Sequence, residues 1–230
     1  MPTKTNVIES YLSIPKTNIE KAIITIVGTS PLVTNPFPVK QIEALKQKQN
    51  IPKSEQPKKK EYDLRYPYEE FSNALYWITP KPEIKTLEEW QKALKDNPRF
   101  GFHVAGIRES AIKTAYRFGK LKSFTNGRLF FYISNAVNDV TYEIPVIEII
   151  TDEPPVLHEC ALKIKNAGAD MRYRPMFNNW KMELEISYLS DLINIQTIIH
   201  WFELGGFGCG LGEHRSEKGG NWGAYEVQKA

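Results

Sequence analysis

Residues 205–223 hold eight of the chain's 14 glycines, and the charged run Glu213-His214-Arg215-Ser216-Glu217-Lys218 stands between Gly212 and Gly219. Gly208, Gly210, Gly212, Gly219 and Gly220 leave main-chain N–H groups unshielded, and phosphates bind such surfaces. The same composition suits a glycine-lined crossover beneath a helix, and both readings stand. The stretch is neither a Walker A loop nor a dinucleotide fingerprint: its glycines follow a helical pattern instead of opening one, and no Gly-Lys-Ser/Thr occurs.

Cations come in two further groups. Lys113 and Arg117 are four residues apart in a helical pattern and so share one face, where they can straddle a phosphate or simply be solvated. Arg108 lies about 140° away around the same axis. Residues 171–181 contain Arg172, Arg174 and Lys181 with no acid, interleaved with Tyr173, Phe177 and Trp180. Single-stranded nucleic acid calls for this mixture, since cations track phosphates while rings stack on bases. Trp180 opens the buried face of a strand and suits a core; Tyr173 and Phe177 fall in or near a loop. Arg215 and Lys218 add charge beside the glycines.

Other chemistry is thinner. His158-Glu159-Cys160 and Cys209 with His214 would offer four zinc ligands if the segments met, but neither spacing is that of a metal knuckle, so no metal or other cofactor is expected. Cys209 as a nucleophile beside His214 has no identifiable third group to orient it. Glu213 and Glu217 are placed to pair with Arg215 and Lys218, or to hold a metal. No catalytic residue is assigned.

The elements that must position these residues follow from periodicity. Residues 19–28 are β-branched and read as a buried strand; residues 67–78 and 86–95 read as helices; residues 100–106 are strand-like up to a break at Gly106. Residues 107–118 carry an apolar stripe ended by Gly119, the form of a helix with a glycine stop. Strands are expected over 128–134, 140–150, 158–165, 169–174 and 180–188, the last alternating cleanly, then a helix over 191–204 and a short closing strand.

Hydrophobic residues are 41% and charged residues 25% of the 230, which excludes a disordered or fibrous chain. No apolar run approaches the roughly 18–20 residues of a membrane span. Two cysteines and no secretory leader pattern point to a reducing, cytoplasmic setting. The formal charge is +3, yet residues 40–60 alone hold seven lysines and two acids, leaving −2 for the remainder. That run reads as a mobile loop that in a nucleic-acid binder adds a salt-sensitive grip.

The pattern Gly210-Leu211-Gly212, six residues, Gly219-Gly220, then Trp222-Gly223 before a final strand resembles the glycine-rich loop of the RAMP superfamily. These are ferredoxin-like, RNA-binding proteins of CRISPR effector and processing complexes. Residues 103–117 are similar to the strand and basic helix of the backbone subunits, with Lys113 and Arg117 at the basic positions and Thr114 where glycine is usual. A closer likeness is to an uncharacterised class of bacteriophage proteins, carried by Ser30-Pro31-Leu32, Arg172-Tyr173-Arg174 and residues 212–218.

Together these give an α+β expectation. A single domain over 1–230 has a ferredoxin-like (RRM-like) antiparallel sheet, two packed helices, extra β-hairpins and a basic helical insertion over 35–99. The resemblance implies a non-enzymatic binder of single-stranded nucleic acid, RNA sooner than DNA, self-associating along the strand in a host cytoplasm. Bases would stack on the open sheet face. The alternatives are a metal-independent endoribonuclease using His214 or His103 as base, and a phage interaction protein using the fold as scaffold.

Overall fold

The computed structural model describes residues 17–36, 64–164 and 168–228, with positions 46 and 49; most of the lysine run at 40–60 lies outside the described residues. The chain is α+β with antiparallel sheets. β1 (Ile19–Gly28) and β2 (Leu32–Val33) are followed by α1 (Pro67–Asn73), β3 (Tyr76–Trp77), α2 (Leu87–Leu94) and β4 (Phe100–His103). Then come α3 (Val104–Arg117), α4 (Phe124–Phe130), β5 (Phe131–Ile133), β6 (Val137–Asn138) and β7 (Pro145–Glu148). The hairpin β8 (Val156–Ile164) and β9 (Gly168–Phe177) leads to β10 (Lys181–Leu189), α5 (Ile195–Gly208) and β11 (Tyr225–Val227).

The central sheet runs β11–β1–β10–β5, every neighbour antiparallel. In the chain α3 lies between β1 and β5, and α5 between β10 and β11. One sheet face (Ile24, Ile26, Met182, Leu184, Ile186) is buried with Ile107, Ala111 and Ala115 of α3 and Ile198 and Phe202 of α5. The alternation of β10 is as read: Met182, Leu184, Ile186 and Tyr188 are buried. β1 differs from its reading, for only one face is covered and Ile23 is 72% exposed.

Two further sheets, β2–β9–β8 and β3–β4–β7–β6, join the same core. Within the stretch expected as a helical insertion, α1 and α2 pack around β3, with Trp77, Trp90 and Phe100 in mutual ring contact. Residues 76–77, read as helix, are strand. Thr86 caps α2 reciprocally with Glu89, a capping box that fixes its start.

Several element boundaries moved. Of the strand expected over 140–150 only Pro145–Glu148 forms, because residues 140–142 turn with the Thr141 and Tyr142 N–H groups donating to Asp139 Oδ1. α3 begins at Val104, directly out of β4, so Gly106 does not break it; Gly106 faces the Phe102 ring, where a methyl would be tight. Of the strand expected over 128–134, Phe131–Ile133 form β5, while 128–130 close the helix α4, because Ser123 caps the Asn126 N–H and Gly127 lets the turn lie against Ile112 and Leu121. α5 starts after Asn194, whose side chain accepts from Thr197 N at 2.8 Å, and it runs on through Gly205 and Gly206. Those glycines allow contact with Ala111 and Tyr225 that any side chain would obstruct. Gly119 does end α3: φ is +68°, and Lys120 N donates to Ala115 O at 2.8 Å. Among the described residues no helix is long and apolar enough to cross a membrane.

Candidate functional site

Helical spacing puts Lys113 and Arg117 on one face of α3, and that face is turned to the short 3-10 turn Ser216–Lys218. Both cations reach Glu217 Oε1, Arg117 at 3.0 Å. Arg215 holds Oε2 through Nη2 and Nε at 3.0 and 3.2 Å, and the Cys209 thiol donates to the same oxygen at 3.5 Å. The Glu217 side chain is 7% exposed. Burial pushes its carboxyl up, but hydrogen bonds from Lys113, Arg215 and Cys209 outweigh this and hold it down at about 2. Three cations share one carboxylate, so two positive charges are left over. Arg117 remains 54% exposed and Lys113 35%. Arg108, as its rotation implies, turns away to the Arg128 carbonyl and the Phe131 ring.

The glycines do different work from an open main-chain surface. A Cβ at Gly212 would overlap the Val33 carbonyl, at Gly220 the His214 carbonyl, and at Gly223 the Leu211 carbonyl. Gly210, at φ +70°, lies against the carbonyls of Trp222 and Gly223, and Gly208 ends α5 against Thr114 and Phe118. The expectation that Gly208, Gly210, Gly212 and Gly220 admit a foreign backbone is therefore corrected: the chain's own atoms fill those positions. Gly219 differs, with φ +81° and open space around it, beside the exposed Lys218.

The hairpin residues are corrected in part. Phe177 closes β9 at 1% exposure, with its ring 6.1 Å from that of Phe100, so it is core and cannot stack on a base. Arg174 is 7% exposed, pairs with Glu213 at 3.3 Å and donates to the Tyr173 carbonyl; it joins the hairpin to the glycine segment instead of facing solvent. Arg172 pairs with Asp170 at 3.2 Å, and the Arg65 guanidinium lies 6.0 Å from the Tyr173 ring centre. Trp180 is core, its N–H donating to the Ser30 carbonyl.

The two segments weighed for zinc do meet, though as an aromatic cluster. His158 and His214 flank Trp222 with ring centres 4.8 and 5.1 Å from it. Burial, then the neighbouring His214, lowers the His158 pKa. Cys209 is buried against Glu217, and burial pushes its thiol up, opposite to what a nucleophile needs. Among the described residues no three His, Cys, Asp or Glu side chains converge as a metal site would require.

A cleft of about 570 Å³ opens between α3 and residues 209–217. His103, Ser110, Lys113 and Arg215 line it, and its cations Lys113, Arg128 and Arg215 equal in number its carboxylates Glu109, Glu213 and Glu217, of which Glu213 also pairs with Arg174 and Glu217 with Arg117. Of the two histidines read as bases, His103 lines this cleft and His214 does not. Burial lowers the His103 pKa, which favours the neutral ring. On the opposite side of the molecule, the open face of the central sheet carries Glu183, Glu185 and Glu226 against Lys21 and Lys181, with Tyr132 52% exposed. That near-balance gives a phosphate strand no cationic surplus on this face.

Sequence reasoning found the pairing of Lys113 with Arg117 but not their shared anchor. Glu217 is about a hundred residues away, and its partnership with Arg215 was the only local signal. Comparison with protein-family models and with curated proteins finds no match to the chain.

Proposed function

We propose that this protein is a non-enzymatic binder of single-stranded nucleic acid that grips phosphates with the exposed face of α3, helped by Arg215 and Lys218. The observation that carries the reading is the uncompensated charge: one nearly buried carboxylate orders three cations and neutralises one of them. The scaffold is read as ferredoxin-like, a reading supported by the order β11–β1–β10–β5 with α3 and α5 as crossovers. The RAMP-like and phage-like segments favour RNA over DNA, assembly along the strand and a host-cytoplasmic setting.

Protein purified at low salt is expected to carry nucleic acid, seen as a raised 260/280 nm absorbance ratio that a high-salt wash removes. In anisotropy titrations, Lys113→Ala/Arg117→Ala should weaken oligoribonucleotide binding about tenfold and flatten the log–log salt slope by about 1.4, since each phosphate contact contributes about 0.7. Equal affinity in the double variant would remove α3 from the interface.

A second reading, RNA cleavage with His103 as general base, is favoured by that histidine's place in the cleft and its lowered pKa. Oligoribonucleotide incubated with the protein in EDTA would then yield products that His103→Ala abolishes. Intact RNA dismisses it.

A further inference from the structure

Beside the balanced cleft lies a second concavity whose chemistry is one-sided. It occupies about 460 Å³ between the last turn of α3 and the start of α4, within the roughly 300–1,000 Å³ of small-ligand sites. Its cations are Lys113, Arg117 and Lys122, and among the described residues no carboxylate lines it. Its walls are two aromatic rings, Tyr116 and Phe124, with centres 6.2 Å apart and planes tilted by 54°. Glu217, the counter-ion of Lys113 and Arg117, lines the neighbouring cleft and not this one. The two cations are thus held from behind and exposed in front.

The rings differ in how they are held. Phe124 is partly buried against the core, and the Arg128 guanidinium sits 4.5 Å from its ring centre, itself fixed by Glu109. Tyr116 is 48% exposed and lines the pocket together with the cations. Two hydroxyls complete the wall: the Ser123 oxygen accepts from Asn126 N, a role that leaves its O–H able to donate, and Thr125 is exposed. Cations that neutralise phosphate beside a ring that stacks are the combination single-stranded sites use.

We propose that this pocket takes one nucleoside-phosphate unit, its base on Tyr116 with an edge toward Phe124 and its phosphate among Lys113, Arg117 and Lys122. The inference rests on the strand-binding reading above and moves its stacking platform from the hairpin to the α3–α4 junction. The same chemistry would hold a free nucleotide, and the experiment separates the two sources.

Labelled oligouridylate is titrated by anisotropy at several salt concentrations, and uridine 5′-monophosphate by calorimetry, against wild type, Tyr116→Ala, Tyr116→Phe and Lys122→Ala. Loss of one stacked base should weaken oligouridylate binding by Tyr116→Ala at least about fivefold with little change in salt slope, while Tyr116→Phe restores it. Lys122→Ala should flatten the slope by about 0.7. Both positions are exposed, and thermal melts check that the variants fold; if Tyr116→Ala does not, Lys122→Ala decides. Wild type that binds the oligonucleotide while the variants match it overturns the pocket and leaves the strand-binding reading standing. Monophosphate binding that Tyr116→Ala abolishes, with no oligonucleotide binding, keeps the pocket and sinks the strand reading. Silence from both probes overturns both.

Discussion

Gly223→Ala is expected to destabilise the protein by about 3 kcal/mol or more, lowering Tm by roughly 6–12 °C in a chain of this size. Two effects add. Gly223 sits at φ +66°, where an alanine costs about 1–2 kcal/mol. A Cβ there would also overlap the Leu211 carbonyl. The backbone cannot step aside cheaply, because Gly223 N donates to Pro31 O at 2.7 Å and Gly223 O accepts from Leu211 N at 2.8 Å. Gly219→Ala is the matched control: φ is +81° but the space is open, so only the conformational term of about 1–2 kcal/mol applies. Chemical denaturation of both variants measures the difference. If they melt together, the close self-packing of this segment is wrong, and an open main-chain surface returns as the better account of the glycines.

That contrast explains what the sequence made legible. Glycine density announced that two backbones approach closely; it could not say whether the second belonged to a ligand or to the chain itself. Where a signal is local and periodic, sequence and structure agree: β10 alternates because one face meets helices and the other water, and Gly119 stops α3 because it adopts the left-handed turn itself. Where the outcome depends on a distant partner, periodicity was silent. Phe177 looks loop-borne because Asn178 and Asn179 follow it, yet β9 carries it under Phe100, and Arg174 is drawn from the surface by Glu213, 39 residues on. The 128–134 run is ambiguous for another reason: five apolar residues in a row fit a helix end as well as a strand start, and the run is both, α4 closing at Phe130 and β5 running over Phe131–Ile133. The stacking residues suffered from the same locality, since Tyr116 is unremarkable in sequence and acquires meaning only when α4 brings Phe124 and Lys122 beside it.

Glu217→Gln should move stability and binding in opposite directions. The carboxyl lies at about 2 in the folded chain against an ordinary 4.5, so ionised Glu217 stabilises the fold at neutral pH by about 2–3 kcal/mol, the exposure of its partners trimming the full value of the shift. Because the folded pKa is depressed, this contribution is complete above about pH 5 and fades as pH falls toward 2. The stability gap between wild type and Glu217→Gln is therefore flat from pH 7 to 5 and closes below it, which denaturation at stepped pH measures. Binding follows the other sign. Removing the shared counter-ion leaves three positive charges where there were two, and an extra charge near a bound phosphate contributes about 1 kcal/mol, roughly a fivefold gain in oligonucleotide affinity with a steeper salt slope. A purely structural cluster predicts something else: once Glu217 goes, the cations repel, the turn loosens, and affinity for any ligand falls or stays level. Destabilisation with tighter binding therefore assigns Lys113, Arg117 and Arg215 to the nucleic acid as well as to the fold; destabilisation without it leaves them to the fold alone.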